Sequence, residues 1–440
     1  MDATNLVSVF HQMILQLSSA FTAPTFETFS QLVVGWLLTP GCGTITGMIR
    51  TLGPAATKNW TVYHKFFYRA AWSLEELSRL LLVRLMAPLL EEVVDVTIDD
   101  TTCGPRGKHV ALAGWWKDAS AHARGPVIHW SHNWVVLAVS LRLKAFPSMR
   151  LTLPVMFALH RKKADCDAGH PYRTLPQLAR QLLVKMAEAL PDRVLFVAMD
   201  GLYATKDLLG DLPPNVIGVS RLRKNASLRT LPPGKGPTGY PRKRGNRLGD
   251  LATLTRRAKN WRKVTLLKQG RKVRRRITGL TCQWYHVCKL KPVRVVIVQA
   301  PDGSEDDLRL VCSHVDCDDA RIVQRFYDRW GIEECIQESK AQMGMERTRG
   351  WCAKTVSRQA PLAMILSSLV KLWYVQHAPD QPELLPQALP WYPHKARPSF
   401  RDMLAALRRC LWRERLFNLY GRCKSNETLA ALEHALCSAA

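Results

Sequence analysis

The sequence predicts an α/β protein with helical ends, and three observations carry that reading. Three apolar or β-branched runs, Val93–Ile98, Trp134–Leu143 and Leu151–Leu159, follow one another as strands. The segment Thr174–Leu190 then has helical periodicity, with Leu178, Leu182, Met186 and Leu190 along one face. After it, Val194–Met199 is wholly apolar, as expected of a strand covered on both faces of a sheet. Strands, a helix, a central strand and later helices together make an α/β domain.

In chain order, residues 1–88 read as a helical N-terminal part. Helices are expected over Phe26–Leu38, Trp60–Ala71 and Ser73–Leu90, and the glycines of Gly41–Gly53 interrupt the pattern. Ser73 and Glu76 have capping-box spacing, as do Thr174 and Gln177. The N-terminal part serves equally well as a DNA-contacting module or as packing scaffold. Residues 89–220 form the first part of the α/β core. Residues 221–308 read as a basic, mostly β insertion, with strands over Lys263–Leu267, Arg276–Val287 and Val293–Gln299. The core resumes at 309–378, with one helix over 325–340 and another near Leu362–Val375. A proline-rich linker and one or two terminal helices fill 379–440. No internal repeat is present.

The 440 residues include 63 Lys and Arg against 36 Asp and Glu, a formal net charge of +27. Such an excess points to a polyanionic partner, most simply nucleic acid. It is regional: Arg221–Arg276 holds 20 Lys and Arg against one acid, Asp250, and so supplies +19 of the total. No apolar run is long enough for a membrane span, and the N-terminus lacks the form of a secretory signal. A cytoplasmic, nucleoid-associated protein is the expectation. The 12 cysteines include no C-x-x-C pair. The spacing of Cys282, His286, Cys288, Cys312, His314 and Cys317 does not fit a zinc finger, so reduced structural thiols are expected.

The chemistry lies in scattered carboxylates. Asp99 or Asp100 and Asp200 are expected at carboxyl ends of strands, the edge at which α/β sheets bind ligands. Glu333 lies in RFYDRWGIEECIQESK, residues 325–340, four residues after Arg329 and two turns before Lys340 on one helical face. Carboxylates converging there would bind Mg2+ (or Mn2+) through oxygen, and such ions stabilise both the attacking and the leaving oxygens of an in-line phosphoryl displacement. Arg329 and Lys340 would then hold the phosphodiester. The plain alternative, a surface ion pair on the helix, loses ground once the two aspartates are read with it.

These motifs resemble the DDE transposases of bacterial insertion sequences, in the cut-and-paste group with a Tyr-x2-Arg-x3-Glu-x6-Lys signature. Arg329, Glu333 and Lys340 have its spacing. Phe326 stands at the tyrosine position and Tyr327 follows one residue later. IDDTTCGPRGKH resembles the family's first aspartate segment, with Asp99 favoured and Asp100 the alternative, and FVAMDGLYAT resembles the second. The resemblance implies an RNase H-like mixed sheet flanked by helices, Mg2+ or Mn2+, terminal inverted repeats and target DNA as substrates, and a homodimer on DNA. It makes Asp99, Asp200 and Glu333 the metal-holding catalytic acids. It also suggests that the insertion contacts DNA near the cleaved end. Arg242, Lys243, Arg244, Arg271, Arg274, Arg275 and Arg276 are then expected phosphate contacts beside Arg329, Lys340 and Tyr327. Trp261 is a candidate for base stacking, and Trp284, inside a strand-like run, reads as core. Rival readings are an RNase H-like nuclease without strand transfer and a non-catalytic DNA-binding relative. An RNA-binding protein would explain the charge but not the acids.

Overall fold

The computed structural model describes residues 3–39, 43–104, 107–118, 127–142, 149–233, 243–347, 350–386, 390, 392–393, 395 and 397–420. Among them are ten strands: β1 (Val93–Cys103), β2 (Gly114–Asp118), β3 (Val127–Arg142), β4 (Arg150–His160), β5 (Val194–Met199), β6 (Val216–Arg221), β7 (Arg262–Lys268), β8 (Arg271–Gln283), β9 (Pro292–Gln299) and β10 (Leu308–Cys312). Helices α1 (Ala3–Leu15), α2 (Ala23–Leu38), α3 (Ile45–Leu52), α4 (Trp60–Tyr68) and α5 (Leu74–Leu80) precede them. Between and after the strands come α6 (Leu175–Ala189), α7 (Leu251–Arg257), α8 (Tyr285–Cys288), α9 (Asp319–Asp328), α10 (Trp330–Met343), α11 (Ala353–His377) and α12 (Phe400–Tyr420).

One mixed sheet runs through the molecule. Its first half has the order β4-β3-β1-β5-β6, with β2 paired to the outer end of β3. Strands β1, β5 and β6 are parallel, and β3 and β4 are antiparallel additions. From β6 the sheet continues through β10, β9, β8 and β7, all antiparallel. With helices on its faces, this is the mixed α/β architecture expected and is consistent with an RNase H-like fold.

Alternation along the strands sends side chains to two cores. Val96 and Ile98 join Val197 and Met199 in the larger core, which also takes in the N-terminal helices, α6, α11 and α12. Phe196 points the other way and packs with Ile322 and Val323 of α9. The box at α6 is complete, Thr174 and Gln177 capping it reciprocally, whereas at α5 only half of the expected box forms: Ser73 accepts from the Glu76 N–H, and the Glu76 carboxylate binds Arg79 instead. Trp284 is buried, as expected of a core residue.

Four expectations need correction. Strand β1 does not stop at Ile98. Its pairing with β3 continues from Asp99↔Val136 to Cys103↔His132, so Asp99 and Asp100 lie inside a strand. The strand read over Arg276–Val287 begins at Arg271, the partner of Lys268 across the turn, and ends at Gln283, where Trp284 opens the short α8. The region 41–53, read as a break, contains α3, which Thr44 caps by accepting from the Gly47 N–H. The single helix over 325–340 is two helices meeting at Arg329. There a tight turn, Arg329 N–H to Phe326 O and Ile332 N–H to Arg329 O, replaces regular helical bonding.

Candidate active site

The site forms where the parallel part of the sheet ends. Strand β5 stops at the pair Ile98↔Met199, so Asp200, the next residue, emerges beside Asp99 while β1 runs on. Asp200 thus sits at a strand's carboxyl end, as predicted. Asp99 reaches the same edge from inside β1, on the face that carries Phe196 and α9.

Helix α10 brings the third acid to that face. Gly331 is pressed against β4 so closely that a Cβ there would lie 2.2 Å from Thr152 Oγ1. Farther along α10, Glu338 pairs at 2.6 Å with Lys371 of α11, which also donates to Thr152 O at 3.1 Å. Below the site, Arg150 joins Asp328 at 2.9 Å and also pairs with Asp95, which contacts Arg325 as well. This partly buried network ties β1, β4 and α9 together, and sequence reading missed it. Asp95 within an otherwise apolar run was its only signal.

Arg329, at the joint of α9 and α10, spans two acids. Its Nη1 donates to Asp99 Oδ2 at 2.8 Å and its Nη2 to Glu333 Oε1 at 2.7 Å. Its guanidinium lies 5.8 Å from the Phe326 ring. Burial works against the Arg329 charge, but Asp99, Glu333 and Asp200 outweigh it and hold the pKa above its usual value. Burial raises the Asp99 carboxyl to about 7, with Arg329 opposing and Asp100 and Glu333 adding repulsion.

Asp100 faces the other way. Tyr203 Oη donates to its Oδ1 at 3.1 Å, and Asn133 supplies a second side-chain hydrogen bond. Burial again raises the carboxyl pKa, and the charge of Asp200 adds to the rise. The two adjacent aspartates therefore have different partners: Asp99 a guanidinium and Asp100 a phenol and an amide.

A family model described as DDE superfamily endonuclease matches residues 16–289. The chain belongs to this family. No curated protein matches the chain closely enough to count as a relative. The matched span contains Asp99, Asp100 and Asp200 and ends before Arg329 and Glu333, so the case for the last two rests on geometry.

Among the described residues of this DDE endonuclease, no three carboxylate, histidine or cysteine side chains form a ready-made cation site. The donor chemistry nevertheless suits a hard divalent ion. Carboxylate oxygens gather at one edge, and Asp99 is disfavoured as an anion despite its guanidinium partner.

The remaining predicted residues have varied surroundings. Lys340 donates to Thr102 O at 2.7 Å and pairs with Glu346 at 3.0 Å. Tyr327 accepts from Arg275 Nε at 3.2 Å, so it touches the insertion. Arg275 itself is buried and also binds Glu305 at 2.7 Å. It is a clasp between insertion and core, unlike its exposed neighbours Arg271, Arg274 and Arg276. Trp261 is half-buried, donates to Ala258 O, and has the Arg276 guanidinium 5.1 Å from its ring. Arg244 lies over Tyr285 at 3.9 Å, and Lys243 is exposed. Arg242 falls outside the described residues.

A cleft of about 320 Å³ joins these parts. Arg221, Lys268, Arg275, Tyr327, Arg329 and Trp330 contribute to its walls. Arg329 thus borders both the acids and a cationic cleft leading towards the insertion.

Proposed function

We propose that this DDE endonuclease is a DNA transposase that cleaves phosphodiesters at transposon ends and joins the freed end to target DNA. One observation carries the reading. Asp99 and Glu333 share Arg329, and Asp200 emerges beside Asp99 from the neighbouring parallel strand. Asp99, Asp200 and Glu333 would hold Mg2+ or Mn2+, which when bound would stabilise charge on the phosphodiester oxygens.

The chain's own groups supply position and screening. Arg329 and Lys268 face the cleft and suit phosphate oxygens, and Trp330, 40% exposed, offers a flat apolar surface at its rim. Lys340 steadies the end of β1 through the Thr102 carbonyl, keeping the strand extended beyond Asp99. The exposed cations of β7 and β8 provide a sequence-independent phosphate surface near the cut. Double-stranded DNA with terminal inverted repeats is the expected substrate, engaged by a homodimer.

The deciding experiment incubates the full chain with DNA carrying candidate transposon ends and Mg2+, and scores nicks, hairpins and joined products. Joined products support the transposase reading. Cleavage that never proceeds to joining, with target DNA present, would leave an RNase H-like nuclease instead. Absence of both, with DNA bound, would indicate a non-catalytic binding protein.

A further inference from the structure

We infer that Arg329 is a removable plug, occupying in the DNA-free protein the place between Asp99 and Glu333 that a divalent cation would take, so that metal loading is coupled to DNA binding. The inference rests on the reading of Asp99, Asp200 and Glu333 as metal-holding acids, and adds how their access is controlled.

Three observations point to it. The guanidinium reaches both carboxylates at once, at 2.8 and 2.7 Å, using oxygen lone pairs that a cation also needs. Among the described residues no three carboxylates converge on one cation position, and the arginine lies between two of the acids that would have to do so. The same side chain also borders the cleft lined by Arg221 and Lys268, where a DNA phosphate would be drawn. A phosphate can accept both arms of the guanidinium fork, as the two carboxylates do now. Arg329 also sits at the joint between α9 and α10, with Phe326 beneath it.

Exchange then follows from charge. When Arg329 turns to a phosphate, Asp99 and Glu333 lose their counter-charge and become a strong site for a divalent ion. When the ion is absent, the arginine returns and prevents the acids from repelling one another. Linkage makes the effect reciprocal, so DNA tightens metal binding by the factor by which metal tightens DNA binding. Lys340 is poorly placed to replace the plug, because it is held by Thr102 and Glu346.

The test measures Mn2+ binding to the full chain by electron paramagnetic resonance, with and without a synthetic duplex of arbitrary sequence. Wild type should bind Mn2+ weakly alone and about tenfold or more tightly with the duplex, the scale expected for removing one nearby unit charge. R329Q should bind tightly without DNA and gain little from it. R329K retains a charge but cannot span both acids, so it should fall between the two and keeps the test open if R329Q folds poorly. Equal Mn2+ affinity of wild type and both variants in the absence of DNA overturns the plug. In that case, loss of the same Mn2+ signal in Glu333→Gln would leave the metal-site reading standing. No Mn2+ binding by any protein, even with the duplex, overturns both.

Discussion

Arg329 donates to Asp99 at 2.8 Å across 230 positions of sequence, whereas Asp100, one residue along, is hydrogen-bonded by Tyr203 instead. The contrast separates two aspartates between which the motif alone gives only a preference for Asp99. Asp99→Asn should abolish cleavage, a loss on the order of 100-fold or more, because a neutral amide cannot replace an anionic oxygen beside Glu333. Asp100→Asn should retain measurable cleavage, since Tyr203 can donate to the amide oxygen as it does to the carboxylate. Side-by-side nicking assays decide between them, and the reverse ranking would move the site to the other face of β1.

Asp200→Ala and Glu333→Ala should both eliminate cleavage while DNA binding persists. These acids carry negative charge, so removing them cannot weaken attraction to phosphate. Gel-shift and nicking assays on the same preparations check this, and an active Glu333→Ala protein would sink the assignment of the third acid.

Much of this arrangement was legible in the sequence, and the rest was hidden for identifiable reasons. Val194–Met199 stands out because a strand buried on both faces must be apolar throughout, and Asp200 ends it visibly. The Arg329 to Glu333 contact follows from helical spacing and survives the break at Arg329 itself. The continuation of β1 through Asp99–Cys103 was hidden because aspartates and threonines resemble a turn, and long-range contacts, chiefly the pairing with β3, keep them extended. Strands β2, β6 and β10 were missed because each is only five or six residues long and, unlike the equally short β5, is not wholly apolar. The different fate of Arg275 within Arg274-Arg275-Arg276 depends on which face of β8 meets α9, and composition does not record that.

That alternation gives a prediction for the basic hairpin. Lys263 opposes Arg276, and Leu267 opposes Lys272, on the outward face of β7 and β8, with Arg274 between them. Alanine at Lys272, Arg274 or Arg276 should weaken DNA binding and lower the slope of log affinity against log salt by about one for each phosphate no longer neutralised. Arg275→Ala should instead lower thermal stability, by about 1 to 3 kcal/mol, because it leaves the Tyr327 hydroxyl without this donor and Glu305 with Lys268 alone. Salt titrations and melting curves of the four variants separate the two classes. An unchanged slope for all three exposed positions would show that the hairpin faces solvent in the complex.

The buried acid predicts a pH dependence. Burial raises the Asp99 pKa from 3.8 to about 7, so the folded protein keeps a proton there that the unfolded chain has released over that interval. This group's contribution to stability therefore falls as pH rises through the interval and levels off above about 7. Between about pH 5 and pH 8 the metal-free protein should lose roughly 2 to 3 kcal/mol through this group, and Asp99→Asn should flatten that part of the profile. Added Mn2+ should restore stability mainly at the upper end, where the carboxylate is ionised. Denaturant titrations at several pH values check the sign, and identical profiles for wild type and Asp99→Asn would remove Asp99 as the cause.

Gly331 offers the most local test of how α10 is positioned. A Cβ there would meet Thr152 Oγ1 at 2.2 Å and Thr152 Cβ at 3.3 Å, so a methyl group cannot enter unless α10 or the Thr152 side chain shifts. Gly331→Ala should lower stability by about 1 to 3 kcal/mol, as overpacking does, despite alanine's better helix propensity. It should also reduce cleavage more than DNA binding, because the displaced turn carries Arg329 and Glu333. Thr152→Ala removes the hydroxyl that the new methyl would strike, leaving a tight 3.3 Å approach at Cβ that a shift of a few tenths of an ångström relieves. The double variant should therefore recover part of both losses, whereas independent effects would simply add. Melting curves and nicking rates for the two single variants and the double variant measure that coupling. Strict additivity would show that the packing of α10 on β4 does not position the acid.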